Sequence, residues 1–553
     1  MRPKVLIIII FLSMLYSQEW NYSADILEKT IENNREVRLF KSDPINNNQV
    51  IIYNDSISIF TNQAKQYIDT NELHLIGPVT MLNGADSLTC EDMVFWYKLD
   101  SLQAFGNVQF NFKNNKLETD SLVYVETNGF RGYSFQAINR SVFYDNKYRI
   151  MADEIIYNDI SQNMSLQGKA NVKSNNQGAL GENMNLVFND SLIKNITIKN
   201  NGYVFNKHYA MIGQENYQLF QDEMKGNLIE VKFNNKNLDN ILIKGMAQSI
   251  YYVVNDSSYL MGFNEATGDT ISLKYIDENL NRIHVIGDAR GVFYPEQGQT
   301  KIDSILEYNA NKIDYNINDQ ITFLEDNVEI KYYDTQLTSN RVRVNWKSNT
   351  LYATSDDNQL AEILSSTQKP ITGEKLEFDL INKKGIIRLG ETTVGDGIYK
   401  SDIIFREEPN IYHMKKSIYT TCENDHPHYY FRTPRMKMFQ GERIIAKPLL
   451  LYIYDIPIIG IPFAVLPNKS GGRQSGWIMP SFGVSNKMGT YFQKFGYYWA
   501  PNDYMDTRLL MDFYDEDRIE FRLNTRYTKR YQYNGNISST LKRKLYQTND
   551  MMD

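Results

Sequence analysis

An all-β fold is what this sequence predicts: a long antiparallel sheet folded sharply on itself, followed by strands of the membrane-barrel type. Three observations predict it. Apolar and polar residues alternate with period two from about 50 to 400. The alternating stretches recur about every 30 residues, the mark of a stacked architecture in which one unit cannot bury its own apolar face. After about 475 the segments become long, amphipathic and aromatic-tipped.

Composition agrees. Among 553 residues there are 39 Tyr, 27 Phe and only 14 Pro, which is no disordered composition and favours strands. The net charge is −7 and no basic stripe appears, which excludes a nucleic-acid partner. The two cysteines, Cys90 and Cys422, exclude a disulfide-dense scaffold and a Cys-rich metal site. One bridge stays open in an oxidising compartment.

At the N-terminus, Arg2 and Lys4 precede the apolar run Val5 to Leu15, and Leu15-Tyr16-Ser17 offers a cleavage site before Gln18. Residues 1–17 therefore read as a secretory signal peptide, too short to span a core of ~30 Å. The best later apolar stretch, Leu449 to Leu466, is broken by Asp455, Pro457, Gly460 and Pro462. Membrane insertion thus requires a barrel.

The repeats carry two phrases. In the first, a glycine shares the apolar phase. Leu73, Leu75, Gly77, Val79 and Met81 alternate with His74, Ile76, Pro78 and Thr80. Ala104, Gly106, Val108, Phe110 and Phe112 repeat the pattern, as do Leu166, Gly168, Ala170 and Val172. Ile243, Gly245 and Ala247, and then Ile283, Val285, Gly287 and Ala289, repeat it again. Glycine at that phase lets the strand bend over a crowded interior. In the second phrase, acidic residues recur before an aromatic: Glu91-Asp92 before Trp96-Tyr97, Asp120 before Tyr124, Asp153-Glu154 before Tyr157. Their recurrence points to turn or rim chemistry, not to a unique acid/base pair.

From about 410 prolines cluster, at Pro434, Pro448, Pro457, Pro462, Pro467 and Pro480. Further on, Ile519, Phe521, Leu523, Thr525 and Tyr527 share one strand face, and Glu520, Arg522, Asn524 and Arg526 the other.

Three pieces of sequence carry a resemblance. The first is Thr420-Thr421-Cys422-Glu423 with His426-Pro427-His428. The second is Ile456-Pro457-Ile458-Ile459-Gly460-Ile461-Pro462. The third is Arg473-Gln474-Ser475-Gly476-Trp477-Ile478-Met479-Pro480, with Tyr497-Tyr498-Trp499-Ala500-Pro501-Asn502-Asp503. The repeats resemble the OstA/LptA-like periplasmic domain, and the sequence from about 417 resembles the LptD family of lipopolysaccharide-assembly proteins. The resemblance implies an elongated β-taco or β-jellyroll over 18–452 and the N-terminal part of an outer-membrane barrel over 453–553. The family barrel has more strands, so the sequence reads as C-terminally truncated.

The resemblance also implies a transport role, in which lipopolysaccharide rides in a hydrophobic groove and leaves through a lateral barrel gate into the outer leaflet. It implies an LptE-like lipoprotein plug and an LptA-like periplasmic bridge as partners, and the outer membrane, with a periplasmic N-terminal domain, as the location. Under it, Leu75, Val79, Val108, Phe110, Phe112, Leu166, Val172, Ile243 and Val285 become groove candidates, although an inward apolar row read by itself is better explained as packed core. Pro480 matches a gate proline of the family, and Gly496 stands where a second is expected. Cys422 matches a bridging cysteine whose family partner is absent.

No Gly-rich phosphate loop, nucleophile elbow or zinc-helix motif occurs, so no enzyme, catalytic residue or cofactor is expected. His426 and His428 with Asp425 lack a third ligand at defined spacing and read as a polar turn, not a metal site. Two other functions remain: a soluble LptA-like periplasmic bridge, and a structural or adhesin-like β-solenoid.

Overall fold

The computed structural model describes residues 20–43, 48–113, 115–127, 132–145, 147–189, 192–213, 216–234, 237–255, 257–277, 279–298, 300, 302–355, 360–365, 370–394, 397–408, 410–424, 426–467, 475–478, 480–485, 489–515 and 518–545. The signal segment 1–17 lies outside them, as do Asp425, Arg473, Gln474 and Met479. The described residues form strands and turns, and no helix among them is long and apolar enough to cross a membrane. The fold is all-β, as the alternation predicts. The chain divides into two compact units, 1–285 and 286–553.

In the first unit, from Glu72 onward, each strand pairs antiparallel with the next through a hairpin. Asp86–Trp96, Ser101–Phe112, Asn115–Thr127, Gly132–Tyr144, Arg149–Asn158, Asn163–Lys173 and Gln177–Asn189 succeed one another in this way. The pleat sends alternate residues to opposite faces. In Ser101–Phe112, Leu102, Ala104, Val108 and Phe112 are buried while Gln109 and Asn111 are exposed.

Midway along each strand the sheet turns a corner. Gly106 and Asn107 both take left-handed backbone, at φ +76° and +46°, and the pair Gly168 and Lys169 does the same. Gly77 (φ +92°) and Gly245 (φ +74°) mark the equivalent places. The register slips there: Thr119 faces Val108 and Ser121 faces Phe105, so Ser101–Phe112 holds one residue more than its neighbour. That is a β-bulge, which bends the strand and increases its twist. Every second strand carries one. The equivalent places in Gly132–Tyr144 and Leu192–Ile212 have no glycine. Asn139-Arg140 and Asn200-Asn201 turn those corners, also at positive φ.

At three of these corners the neighbouring strand supplies a cap from the recurring acid. The Gly77 N–H donates to Asp92 Oδ1 (3.2 Å), Asn107 Nδ2 donates to Glu91 Oε1 (2.6 Å), and Arg140 forks onto Asp120 (2.7 and 3.0 Å). Buried Thr119 Oγ1 donates to the Ile138 carbonyl (2.9 Å), the last ladder residue before the bulge. These bonds satisfy polar groups freed by the bend.

A Cβ at Gly106 would lie 2.5 Å from Glu91 Oε2 and 2.8 Å from Glu91 Cβ. Gly106→Ala is therefore expected to lower stability by about 1–2 kcal/mol, the left-handed penalty plus displacement of Glu91. Asn107→Gly, at the next position, is expected to change it by a few tenths. Urea unfolding monitored by Trp96 fluorescence in the adjoining hairpin measures both.

In the second unit, corners continue at Asp326-Asn327 (φ +62° and +55°) in Ile321–Tyr332. Farther on, proline takes over. The ladder between Ile411–Thr420 and Tyr429–Phe439 skips Lys416 and Pro434, so Pro434 costs no strand-to-strand hydrogen bond. Pro448 separates Arg443–Ala446 from Leu449–Ile453, and Pro462 separates Ile456–Ile461 from Ala464–Pro467. These breaks face each other, because Ala446 pairs with Ala464 and Leu449 with Ile461.

The boundary expected at 452/453 thus falls inside this sheet, whose final strand is Ala464–Pro467. The Pro-rich run is its folded edge. A separate six-stranded sheet begins at Gly476–Ile478 and runs through Ser481–Ser485, Gly489–Asn502, Met505–Tyr514 and Arg518–Lys529 to Tyr533–Lys544.

Candidate functional site

The corner line divides the first unit's sheet into two walls whose inner faces pack together. Leu75, Leu166, Ile243 and Val285 lie before the corner of their strands, and Val79, Val108, Phe112 and Val172 after it. All of them are buried. Phe110 is half-buried, stacked on Phe112 at 4.4 Å and edge-on to Tyr124 at 5.6 Å. Gln109, one residue away, points outward.

Far from the corner, the two walls end in opposite rows of hairpin turns. There aromatic rings reach across. Phe112 packs edge-on against Tyr133 (5.8 Å) and Phe135 (5.9 Å), and Phe135 meets Tyr157 at 5.5 Å. Edge-on geometry sets positive ring edges against negative faces. Burial pushes the Tyr157 hydroxyl up to about 12, helped by Asp159 beside it, and raises Tyr124 and Tyr133 further. These phenols stay neutral, as rings shutting an apolar interior must.

Beyond these rings the mouth widens into an apolar cleft of about 510 Å³, counting its open side. Tyr148, Val172, Gln177, Phe205 and Asn206 line one edge, and Phe233, Leu238 and Tyr275 the other. Ile196, Met224, Val231 and Ile241 form the floor. Of the groove candidates, only Val172 lines this cleft; the others pack within the closed interior.

In the second unit, Gly476–Ile478 and Ser481–Ser485 both pair with Gly489–Asn502 and are separated by Met479 and Pro480. The ladder runs from Ile478↔Gly496 to Ser481↔Gln493, leaving Lys494 (φ +62°) and Phe495 opposite the break. Pro480 and Gly496 therefore flank one interruption in the first seam of this sheet. Gly496 is also where the next strand's backbone comes close, since a Cβ there would strike the Leu509 carbonyl.

The faces of this sheet are inverted relative to a water-soluble one. Leu509, Phe521 and Leu541 are 51%, 43% and 69% exposed, whereas Asp506 and Asp512 are 1% and 3% exposed. On the covered face Arg526 forks onto Asp506 (3.1 and 3.2 Å), Arg522 pairs with Asp512, and Arg518 Nε reaches Glu520 (3.3 Å). The alternation of Ile519 to Tyr527 is the sequence trace of this arrangement.

Residues 444–553, which hold the seam and the inverted sheet, match the family model described as LptD protein. This part of the chain is similar to the LptD family. The LPS-assembly protein LptD of Aromatoleum aromaticum is 31% identical over 105 residues, which is 18% of this chain and 13% of that protein. That of Nitrosomonas europaea is 26% identical over 186 residues, 32% of this chain and 24% of its own. That of Xanthomonas oryzae pv. oryzae is 31% identical over 116 residues, 21% and 14%. The chain thus spans between an eighth and a quarter of the length of these curated relatives. Among solved structures, LptH of Pseudomonas aeruginosa, the LptA-homologous component of its lipopolysaccharide transport device, aligns over 26% of this chain and 93% of its own. Identity there is 11% and the TM-score 0.20, too low to carry an argument.

Just before the LptD-like stretch, the cysteine segment is a turn. Cys422 is a half-buried thiol whose Sγ lies 3.6 Å from His428 Nδ1, and its N–H donates to Thr420 Oγ1 (3.0 Å). Cys90 is also a thiol, inward-facing, and burial pushes it up to about 12. The residues missed in the sequence are those lining the cleft, Tyr148, Phe205, Phe233 and Tyr275 among them. They lie at strand ends, where alternation gives way to turn composition, and pairing across the mouth leaves no periodic trace.

Proposed function

We propose that this chain belongs to the machinery that carries lipopolysaccharide to the outer leaflet of the outer membrane. The lipid's acyl chains run in the folded sheet of 18–467, and the sheet from Gly476 onward is the start of a membrane barrel. The observation that carries this reading is the inverted second sheet inside LptD-like sequence. Apolar side chains face outward while paired charges are covered, as a barrel wall between lipid and a polar lumen demands. The interrupted seam at Pro480 and Gly496 would part most easily, and we assign it to the lateral gate. An LptE-like plug in the lumen, an LptA-like bridge at the periplasmic end, and Cys422 as a disulfide cysteine complete the proposal. A soluble bridge protein is disfavoured because it would leave Leu509, Phe521 and Leu541 in water.

The interior favours acyl chains for a physical reason: each methylene shielded from water contributes ~0.8 kcal/mol. Photo-crosslinking residues at Phe110 and at Gln109, in the full chain in cells making lipopolysaccharide, test it. Lipid adducts are expected at Phe110 and not at Gln109. Silence at Phe110 and at Val172, with the protein folded in the outer membrane, would make the interior ordinary packed core.

A further inference from the structure

We propose that the interior of the second unit binds a single-chain carboxylate, a long-chain fatty acid whose head is forked by Arg406. The proposal stands on the geometry around Arg406 and is independent of the transport reading.

Arg406 lies on the inward phase of Gly397–Glu408, two residues after Ile404, and the two are 6% and 1% exposed. Its direct partners across the sheet are Gly385 and Tyr412. Glycine at that place sets no side chain beside the guanidinium. Ile371, Leu376, Phe378, Ile387 and Ile404 line, with Arg406, a cavity of about 380 Å³, counting its open side. A second cavity of about 280 Å³ shares Ile363, Leu376 and Phe378 with the first and runs on past Tyr332, Leu337 and Leu351. An alkyl chain finds apolar side chains along both.

A cation buried in such a place is costly unless an anion pairs with it. Nη1 donates to Thr335 Oγ1 (3.3 Å), and that hydroxyl donates on to Asp334 Oδ1 (3.1 Å). Nε is buried without a partner, and among the described residues no carboxylate lies within ion-pair distance of Arg406. The next residue, Glu407, faces the other way and is engaged with His413 (2.7 Å) and Lys437 (3.3 Å). Arg35 and Arg526 show what a guanidinium does with its Nε edge elsewhere in this chain. Each sets Nε and Nη2 on the two oxygens of one carboxylate, Asp69 at 2.9 and 3.0 Å and Asp506 at 3.1 and 3.2 Å. Arg406 holds the same edge among apolar side chains, where a carboxylate at the end of an alkyl chain satisfies both the charge and the fork.

Charge decides between anions. One guanidinium neutralises one carboxylate. A phosphate monoester carries a charge of about −2, and the excess would stay buried. The lining of the two cavities holds no Lys, no His and no second Arg to meet it.

The test uses the full chain, stripped of bound lipid and held in an amphipathic polymer. Three probes of equal chain length are titrated: palmitate, hexadecanol and hexadecyl phosphate. Wild type is expected to bind palmitate at a single site and to prefer it to hexadecanol roughly 10- to 100-fold, the range of a charge-assisted hydrogen bond. Arg406→Met, similar in length and uncharged, should lose that preference. The variant should also unfold at the same temperature as lipid-free wild type or higher, since an apolar side chain replaces an unpaired buried charge, so that its lost binding is not lost folding. Palmitate should raise the unfolding temperature of wild type and not of the variant. Equal palmitate affinity in the two proteins, or no palmitate binding by folded wild type, overturns the fatty-acid site and leaves the transport reading as it stands. Tighter binding of hexadecyl phosphate than of palmitate overturns the carboxylate and makes Arg406 a phosphate contact.

Discussion

An alanine in place of Phe135 is expected to destabilise the first unit by about 3–5 kcal/mol, the range for truncating a buried aromatic whose surroundings cannot collapse. Phe135 is 2% exposed and touches Phe112, Phe143 and Tyr157, so it holds rings from both walls at once. The neighbours cannot fill the void, because each is tied to a different strand. Phe135→Leu keeps most of the volume and should cost under half as much. Urea midpoints for the pair measure it. A loss for Phe135→Ala no larger than for Phe135→Leu would mean that the walls close up over the gap, and that the mouth is held by the sheet and not by the rings.

Arginine at Phe521 is expected to cost about 2–4 kcal/mol in barrel assembly if the residue sits near mid-membrane, and to deplete the protein from the outer-membrane fraction. Phe521 faces Met511 on one neighbour and Leu541 on the other, on the exposed apolar side. The same arginine at Asn524, which pairs with Arg508 on the covered side, should be tolerated, since that side already carries Arg522 and Arg526. Quantifying both variants in separated membranes decides the matter. Equal assembly of Phe521→Arg and wild type would remove the lipid from that face.

The corners and the barrel face were legible because each leaves a local mark. Gly77, Gly106, Gly168 and Gly245 interrupt an apolar row, and only a bend requires that. The corners at Asn139-Arg140, Asn200-Asn201 and Asp326-Asn327 were not legible. Asn and Asp reach left-handed backbone at little cost, yet they are equally common in plain turns. The run Ile456 to Pro462 reads, by its family resemblance, as entry into the barrel, whereas its strands pair with those before it in the large sheet, a relation visible only in the register. The recurring acids were assigned to structural chemistry, but their task, capping the corner of a neighbouring strand, needs the register to be seen. The cleft is lined by residues as distant as Tyr148 and Tyr275, a relation that no window of sequence contains.

The bulge in every second strand has a consequence for how such a chain can change length. It gives the sheet a parity. A bulged strand needs an unbulged neighbour to cap it, and each turn falls alternately on one edge and then the other. Gain or loss of a hairpin leaves both alternations intact. Gain or loss of one strand would set two bulges side by side and transfer every later turn, with its charges, to the opposite edge. The heritable unit of growth is therefore the pair, and related chains should differ in this region by even numbers of strands.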